Sequence, residues 1–156
     1  MIIWPEKYSP AKTRVHVHNE LDMTVPPERV WAWLIRAKLW PTWYNNSGNV
    51  VIEGEASDLK PGAKFRWQTF GAHLQSQVQE FEPFERLAWN AKSSGIDAYH
   101  AWLIEKTPTG CHVVTEENQN GWVAFMANVL RPRNMGKYHQ MWLEQLLVMA
   151  KSGSPP

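Results

Sequence analysis

The chain has 156 residues, a length that suits one domain and lets it bury roughly 68–70% of its unfolded surface without staples. Lys and Arg total 16 against 15 for Asp and Glu, so a net charge of +1 offers no broad attraction for nucleic acid or an anionic bilayer, and neither is an expected partner. Cys111 is the lone cysteine, which excludes an internal disulfide and a Cys-rich zinc cluster and fits a reducing compartment.

The first residues, Met1-Ile2-Ile3-Trp4-Pro5-Glu6-Lys7, lack the basic start and apolar run of a signal peptide, and no stretch approaches the ~20 apolar residues of a membrane span. A cytoplasmic protein is the expectation. Residues 1–12, with Pro5 and Pro10 and little periodicity, read as an arm across the surface. From Val15 the pattern alternates: Val15, Val17, Leu21 and Met23 share one face, His16, His18, Glu20 and Asp22 the other, as in a half-buried strand. Pro26 and Pro27 stop it and suit the first turn of a helix, where Glu28 meets the positive end of the dipole. Val30, Trp31, Leu34 and Ile35 follow at helical spacing, then a second short turn or helix, Trp40-Pro41-Thr42-Trp43-Tyr44, closed by the polar loop Asn45-Asn46-Ser47-Gly48.

Six further strands are predicted at 50–54, 63–70, 73–82, 86–92, 97–106 and 111–120. They are divided by the turn signals Pro61-Gly62, Gly71, Pro83, Ser94-Gly95 and Pro108-Thr109-Gly110, and such regular spacing predicts antiparallel hairpins. After Gly121 the period becomes helical from Trp122 to Leu130, breaks at Arg131-Pro132-Arg133 and resumes to about Lys151. There Met135, Tyr138, Trp142, Leu146 and Met149 form one apolar stripe facing the sheet. Residues 152–156 (Ser152-Gly153-Ser154-Pro155-Pro156) are disordered by composition, and the folded core is expected over 15–151 with no repeat, linker or second domain. One long helix covering a curved sheet cannot fill its concave side, so an apolar cavity is expected between them.

Four segments, taken in order, resemble the START-related SRPBCC superfamily in its polyketide cyclase/dehydrase-like branch. They are Val25-Pro26-Pro27-Glu28-Arg29-Val30-Trp31 with Trp40-Pro41-Thr42-Trp43; Leu59-Lys60-Pro61-Gly62-Ala63-Lys64-Phe65; Val78 to Trp89; and Gly110-Cys111-His112-Val113 leading to Glu117. The resemblance implies an α+β helix-grip fold, with a bent antiparallel sheet of about seven strands wrapped around a long C-terminal helix and a ligand cavity between them. It also implies a range of activities, because the superfamily holds lipid carriers, cyclases and chaperone activators.

On that fold, alternation makes cavity walls of Phe65, Trp67 and Thr69, of Leu87, Trp89 and Ala91, and of His100, Trp102 and Ile104, with Met135, Tyr138 and Trp142 approaching from the helix. Ten Trp residues in one chain suit such an aromatic box, which would take a flat or isoprenoid-like ligand. His100, between apolar neighbours on a strand, is the candidate general acid/base. Glu117 is its partner or a second base if it, rather than Glu116, faces inward, and Tyr138 or Tyr99 could orient a ligand carbonyl. Arg131, Arg133 and Lys137 gather where positive charge opposes the helix dipole, so Arg133 is a candidate for receiving a carboxylate head group at the cavity mouth. His16-x-His18 lies on the polar strand face with Glu20 and Asp22 and reads as solvated, and no cofactor or metal is expected.

The expected function is binding of a small hydrophobic ligand, aromatic, polycyclic or lipid-like. The alternatives are a polyketide cyclase/dehydratase-type enzyme using His100 with Glu117 or Tyr138, and a protein-interaction module of the chaperone-activator type. A homodimer is compatible with each.

Overall fold

The computed structural model describes all 156 residues, apart from the side chain of Glu55. Seven strands form one antiparallel sheet in the order β1-β7-β6-β5-β4-β3-β2. They are β1 (Val15–Met23), β2 (Ser47–Ile52), β3 (Lys64–Thr69), β4 (Ala72–Glu82), β5 (Arg86–Ser93), β6 (Ile96–Thr107) and β7 (Gly110–Asn120). Strands β2 to β7 run as consecutive hairpins, while β1 closes on β7 with Val15 opposite Gln119 and Met23 opposite Cys111. Consecutive strands β1 and β2 therefore lie on opposite edges. The helices α1 (Pro27–Ile35) and α2 (Trp40–Trp43) carry the chain between them.

Turn chemistry pins the register at the hairpin that later borders the cavity. Thr69 pairs with Ala72, and the two turn residues Phe70 and Gly71 both take positive φ, 49° and 75°. That is the primed turn whose twist matches the flanking strands; glycine accepts it freely, whereas Phe70 is held there at some cost. β2 begins inside the expected polar loop, at Ser47. A bulge between Gly48 and Val51, with Asn49 at φ 48°, lets these polar residues still reach partners on β3.

α3 (Trp122–Leu130) and α4 (Asn134–Ser152) follow β7. The buried face of α4 is His139, Trp142, Leu143, Leu146 and Ala150, rotated from the expected stripe so that Met135, Tyr138 and Met149 fall on its half-buried margins. Trp142 reaches across the sheet: its ring lies 5.9 Å from Trp67 on β3, 6.3 Å from Trp89 on β5 and 5.2 Å from Trp102 on β6. One helix lying over the concave face of a seven-stranded antiparallel sheet is the helix-grip α+β arrangement.

The arm formed by residues 1–12 covers the other face of the sheet. Tyr8 stacks on Tyr99 at 5.2 Å, its hydroxyl hydrogen-bonds Asp97 at 2.6 Å, and Asn118 donates to its carbonyl at 2.7 Å. The tail expected to be disordered is instead tied to α1: the Trp33 indole donates to the Gly153 carbonyl at 2.8 Å and Arg36 to that of Pro156. Composition alone misses this, because the partners lie 120 residues away. No described helix is long and apolar enough to cross a membrane.

Candidate functional site

Side-chain size along the inner face of the sheet decides where space remains. β6 points Ala98, His100, Trp102 and Ile104 inward, so its start is lined by a methyl group and its middle by rings. Where the rings face α4 they interlock. Trp40, fully buried, lies 5.4 Å from Trp89, 5.5 Å from Trp67, 6.1 Å from Phe65 and 5.2 Å from Trp142. The expected aromatic box is thus filled: Phe65, Trp67, Trp89, Trp102, Ile104 and Trp142 are packed core and none lines the cavity. The ring that fills it, Trp40, is the first residue of α2, a position that strand alternation could not have placed inside.

The cavity lies at the alanine end of the sheet and measures about 520 Å³, within the range of small-molecule sites. Ala72, Leu74 and Ala98 form its sheet wall, while Thr69, Phe70 and Met135 border it. α3 roofs it through Val123, Ala124, Ala127 and Asn128. Gly121 sets that roof: at φ 104°, a Cβ on it would stand 2.2 Å from the Gly95 carbonyl oxygen, so only glycine lets the chain press against the β5–β6 turn before entering α3. The Val123 N–H then donates to that same carbonyl at 3.1 Å. Arg131 lines the cavity, whereas Arg133, the expected anion receiver, is exposed and outside it. Tyr138 meets Phe70 edge-on at 5.4 Å, and Tyr99 faces the arm on the opposite side of the sheet.

Two polar residues, Glu117 and Gln119, reach the cavity floor from β7. The β6–β7 register puts His100 opposite Glu117 and Ala98 opposite Gln119, so Glu117, not Glu116, is the inward residue. Glu116 hydrogen-bonds His18 on the outer face, where His18 also meets Glu20 and His112 meets Asp22. His16 pairs with Asn118. Each imidazole of the His16-x-His18 pair is thus satisfied by a β7 neighbour or by Glu20.

α4 adds His139, a residue the sequence reading passed over. Its Nε2 donates to Glu117 Oε2 at 3.1 Å, His100 Nδ1 lies 3.4 Å from the same oxygen, and Gln119 donates to Oε1. His100 Nε2 and Thr115 Oγ1 share a 2.7 Å hydrogen bond. The signal for His139 is its spacing, since 139, 142, 143, 146 and 150 make one helical face and a histidine on that face must point into the core. Burial pushes the His100 pKa down to about 3, against the pull of Glu117 and with the push of His139. Burial raises that of Glu117, but the hydrogen bond from His139, the nearby imidazoles and Gln119 outweigh it and hold the carboxyl at about 2. The cluster at pH 7 is therefore a carboxylate beside a neutral His100.

Among the described residues, His100, Glu117 and His139 are also the three that could offer a metal one ligand atom each, all within 4.8 Å of one another. The two imidazoles, however, stack face to face, with centroids 4.8 Å apart and planes 9° apart. Ring-nitrogen lone pairs lie in the ring plane, so these run side by side and do not converge on a point. Glu117 takes up His139 Nε2 and faces His100 Nδ1, while His139 Nδ1 is buried without a hydrogen-bond partner.

An antiparallel sheet gripping one long helix, with an apolar cavity between sheet, roof helix and grip helix, defines the class of helix-grip ligand-cavity proteins. Within it, the family profile described as polyketide cyclase / dehydrase and lipid transport matches residues 14–146, and the chain belongs to that family. The crystal structure of hypothetical protein jhp0584 from Helicobacter pylori is similar at 32% identity and a TM-score of 0.89, over 96% of each chain. More distant likenesses show the fold alone. One is the di-domain aromatase/cyclase StfQ from the steffimycin biosynthetic pathway, at 14% identity and TM-score 0.71 over 88% of this chain and 51% of that one. Another is norcoclaurine synthase from Thalictrum flavum, in complex with dopamine and hydroxybenzaldehyde, at 10% identity and TM-score 0.68 over 91% of this chain and 89% of that one. No curated protein matches the chain.

Proposed function

We propose that the protein binds a small, largely apolar ligand carrying one hydrogen-bond donor, an amine or a hydroxyl, with the apolar body under α3 and the donor on Glu117. The observation that carries this is an ionised carboxylate at the floor of a largely apolar cavity, in which Thr69, Gln119, Asn128, Arg131 and Asn134 are the other polar side chains: the Glu117 side chain is 12% exposed, and it lines the cavity. The family's hydrophobic-ligand binding supports the apolar part of the reading. A carboxylate in that setting rewards a donor far more than an apolar contact does, because hydrogen bonds to charged groups contribute about 1.5–3 kcal/mol.

Acid–base turnover, as in a cyclase, is the second reading, favoured by Glu117 lying within reach of both cavity and imidazole. Its proton affinity weakens it. A carboxyl held at about 2 and an imidazole at about 3 are poor bases at neutral pH, where catalytic groups work best with a pKa near the operating pH. The cluster is better built to keep a negative charge in place than to exchange a proton.

The test compares wild type with Glu117→Gln, which keeps shape and removes charge, against Nile red and a series of aromatic amines and phenols. Nile red should bind both proteins alike, and the donor-bearing ligands should prefer wild type by about 10- to 100-fold. Equal affinity of both proteins for every ligand overturns the donor reading. Conversion of any ligand by wild type and not by the variant would establish the second reading instead.

A further inference from the structure

α3 is apolar apart from Asn128. Val123, Ala124, Ala127 and Asn128 roof the cavity, while Trp122, Met126 and Val129 stand 72%, 43% and 54% exposed, with Phe125 at 36%; Leu130, 74% exposed, stands at the cavity rim and belongs to both faces. A helix hydrophobic all round belongs in a buried place, and a contiguous exposed patch of this kind marks an interaction surface. Phe70, 38% exposed at the tip of the β3–β4 turn, extends the apolar rim across the cavity.

The exposed charges that flank this patch are basic, Glu117 being inside the cavity. The Arg14 guanidinium sits 5.5 Å over the Phe125 ring, and exposed Arg131, Arg133 and Lys137 follow directly on α3. Between Glu117 and Glu144 the chain has no acidic residue. A net charge of +1 conceals this, because the positive charge here is balanced by acids elsewhere on the molecule. A second copy would leave the basic residues at the end of α3 without an acidic partner on that helix, because Trp122–Leu130 carries no Asp or Glu. A surface that accepts indole and leucine while attracting lysine and arginine is an anionic lipid interface.

We infer that α3 docks the protein on an anionic lipid bilayer, with Trp122, Met126, Val129 and Leu130 entering the acyl boundary and Arg133 and Lys137 meeting headgroups. Docked this way, the cavity roof lies against the membrane, and an apolar ligand passes between bilayer and cavity without crossing water. The docking itself is independent of which ligand the cavity takes.

Flotation with phosphatidylcholine vesicles, with and without phosphatidylglycerol, tests this on the full chain. Wild type should float with the anionic vesicles, weakly with neutral ones, and less as salt rises. Arg133→Gln with Lys137→Gln should lower the apparent affinity about 25-fold, at roughly fivefold for each charge. Trp122→Ser, Met126→Ser and Val129→Ser together should abolish flotation while leaving Nile red binding in solution intact, since none of the three lines the cavity. Wild type that stays unbound, or a triple variant that floats as well as wild type, overturns the inference. So does a wild-type dimer in light scattering that the triple variant disperses, which would assign the face to a second copy.

Discussion

Glu117 shows how one inner-face position can hold a charge that its surroundings should reject. Its carboxylate stays ionised because His139, His100 and Gln119 face it from α4, β6 and β7. Linkage follows with a definite sign. His100 is held neutral in the fold but takes a proton below its ordinary value near 6.5 once unfolded, so stability falls as pH drops from about 6.5 toward 3. Glu117 adds to the loss between about 4.5 and 2, where only the unfolded carboxyl is protonated. Thermal melts from pH 7 to 3.5 should show Tm falling steadily in wild type and less steeply in His100→Asn. Identical slopes would place His100 in solvent.

At the scale of elements, α4 and α3 divide the labour. α4 supplies Trp142 to a ring cluster in which each contact adds roughly 0.5–1.5 kcal/mol beyond burial. Trp142→Ala should cost about 3–5 kcal/mol in urea unfolding, and truncation before Asn134 should leave a chain without a cooperative transition. A truncated chain that still melts cooperatively would remove α4 from the core. α3 rests on the sheet by small residues, with Ala124 its one buried side chain, and its seat depends on Gly121. Gly121→Ala should lower stability and shift Nile red affinity together, because a Cβ at that φ displaces the roof; unchanged affinity in a folded variant would separate roof position from binding.

For the whole molecule, cavity occupancy and stability are linked. A ligand that enters the cavity at 100 times its Kd should add about 2.7 kcal/mol, or roughly 5–10 °C in Tm for a chain of this size. Scanning fluorimetry with Nile red reads this. Probe fluorescence without a Tm shift would mean adsorption to the outer face of α3 instead. Element order, the Pro-Pro start of α1, the hairpin turns and the long terminal helix were legible in the residues, because each depends on local backbone preference and on a period of 2 or 3.6 read within a dozen positions. The inward placement of His100 followed from the same alternation. Three outcomes depended on contacts between distant segments. Trp40 fills the aromatic box from the start of α2, so the cavity moves to the alanine end. His139 joins Glu117 from 22 residues away in sequence because α4 crosses β7, and the tail folds back on Trp33 and Arg36. Alternation assigns a side chain to a face of its strand; whether that face meets space, a ring or a charge is set by whichever distant element packs on it.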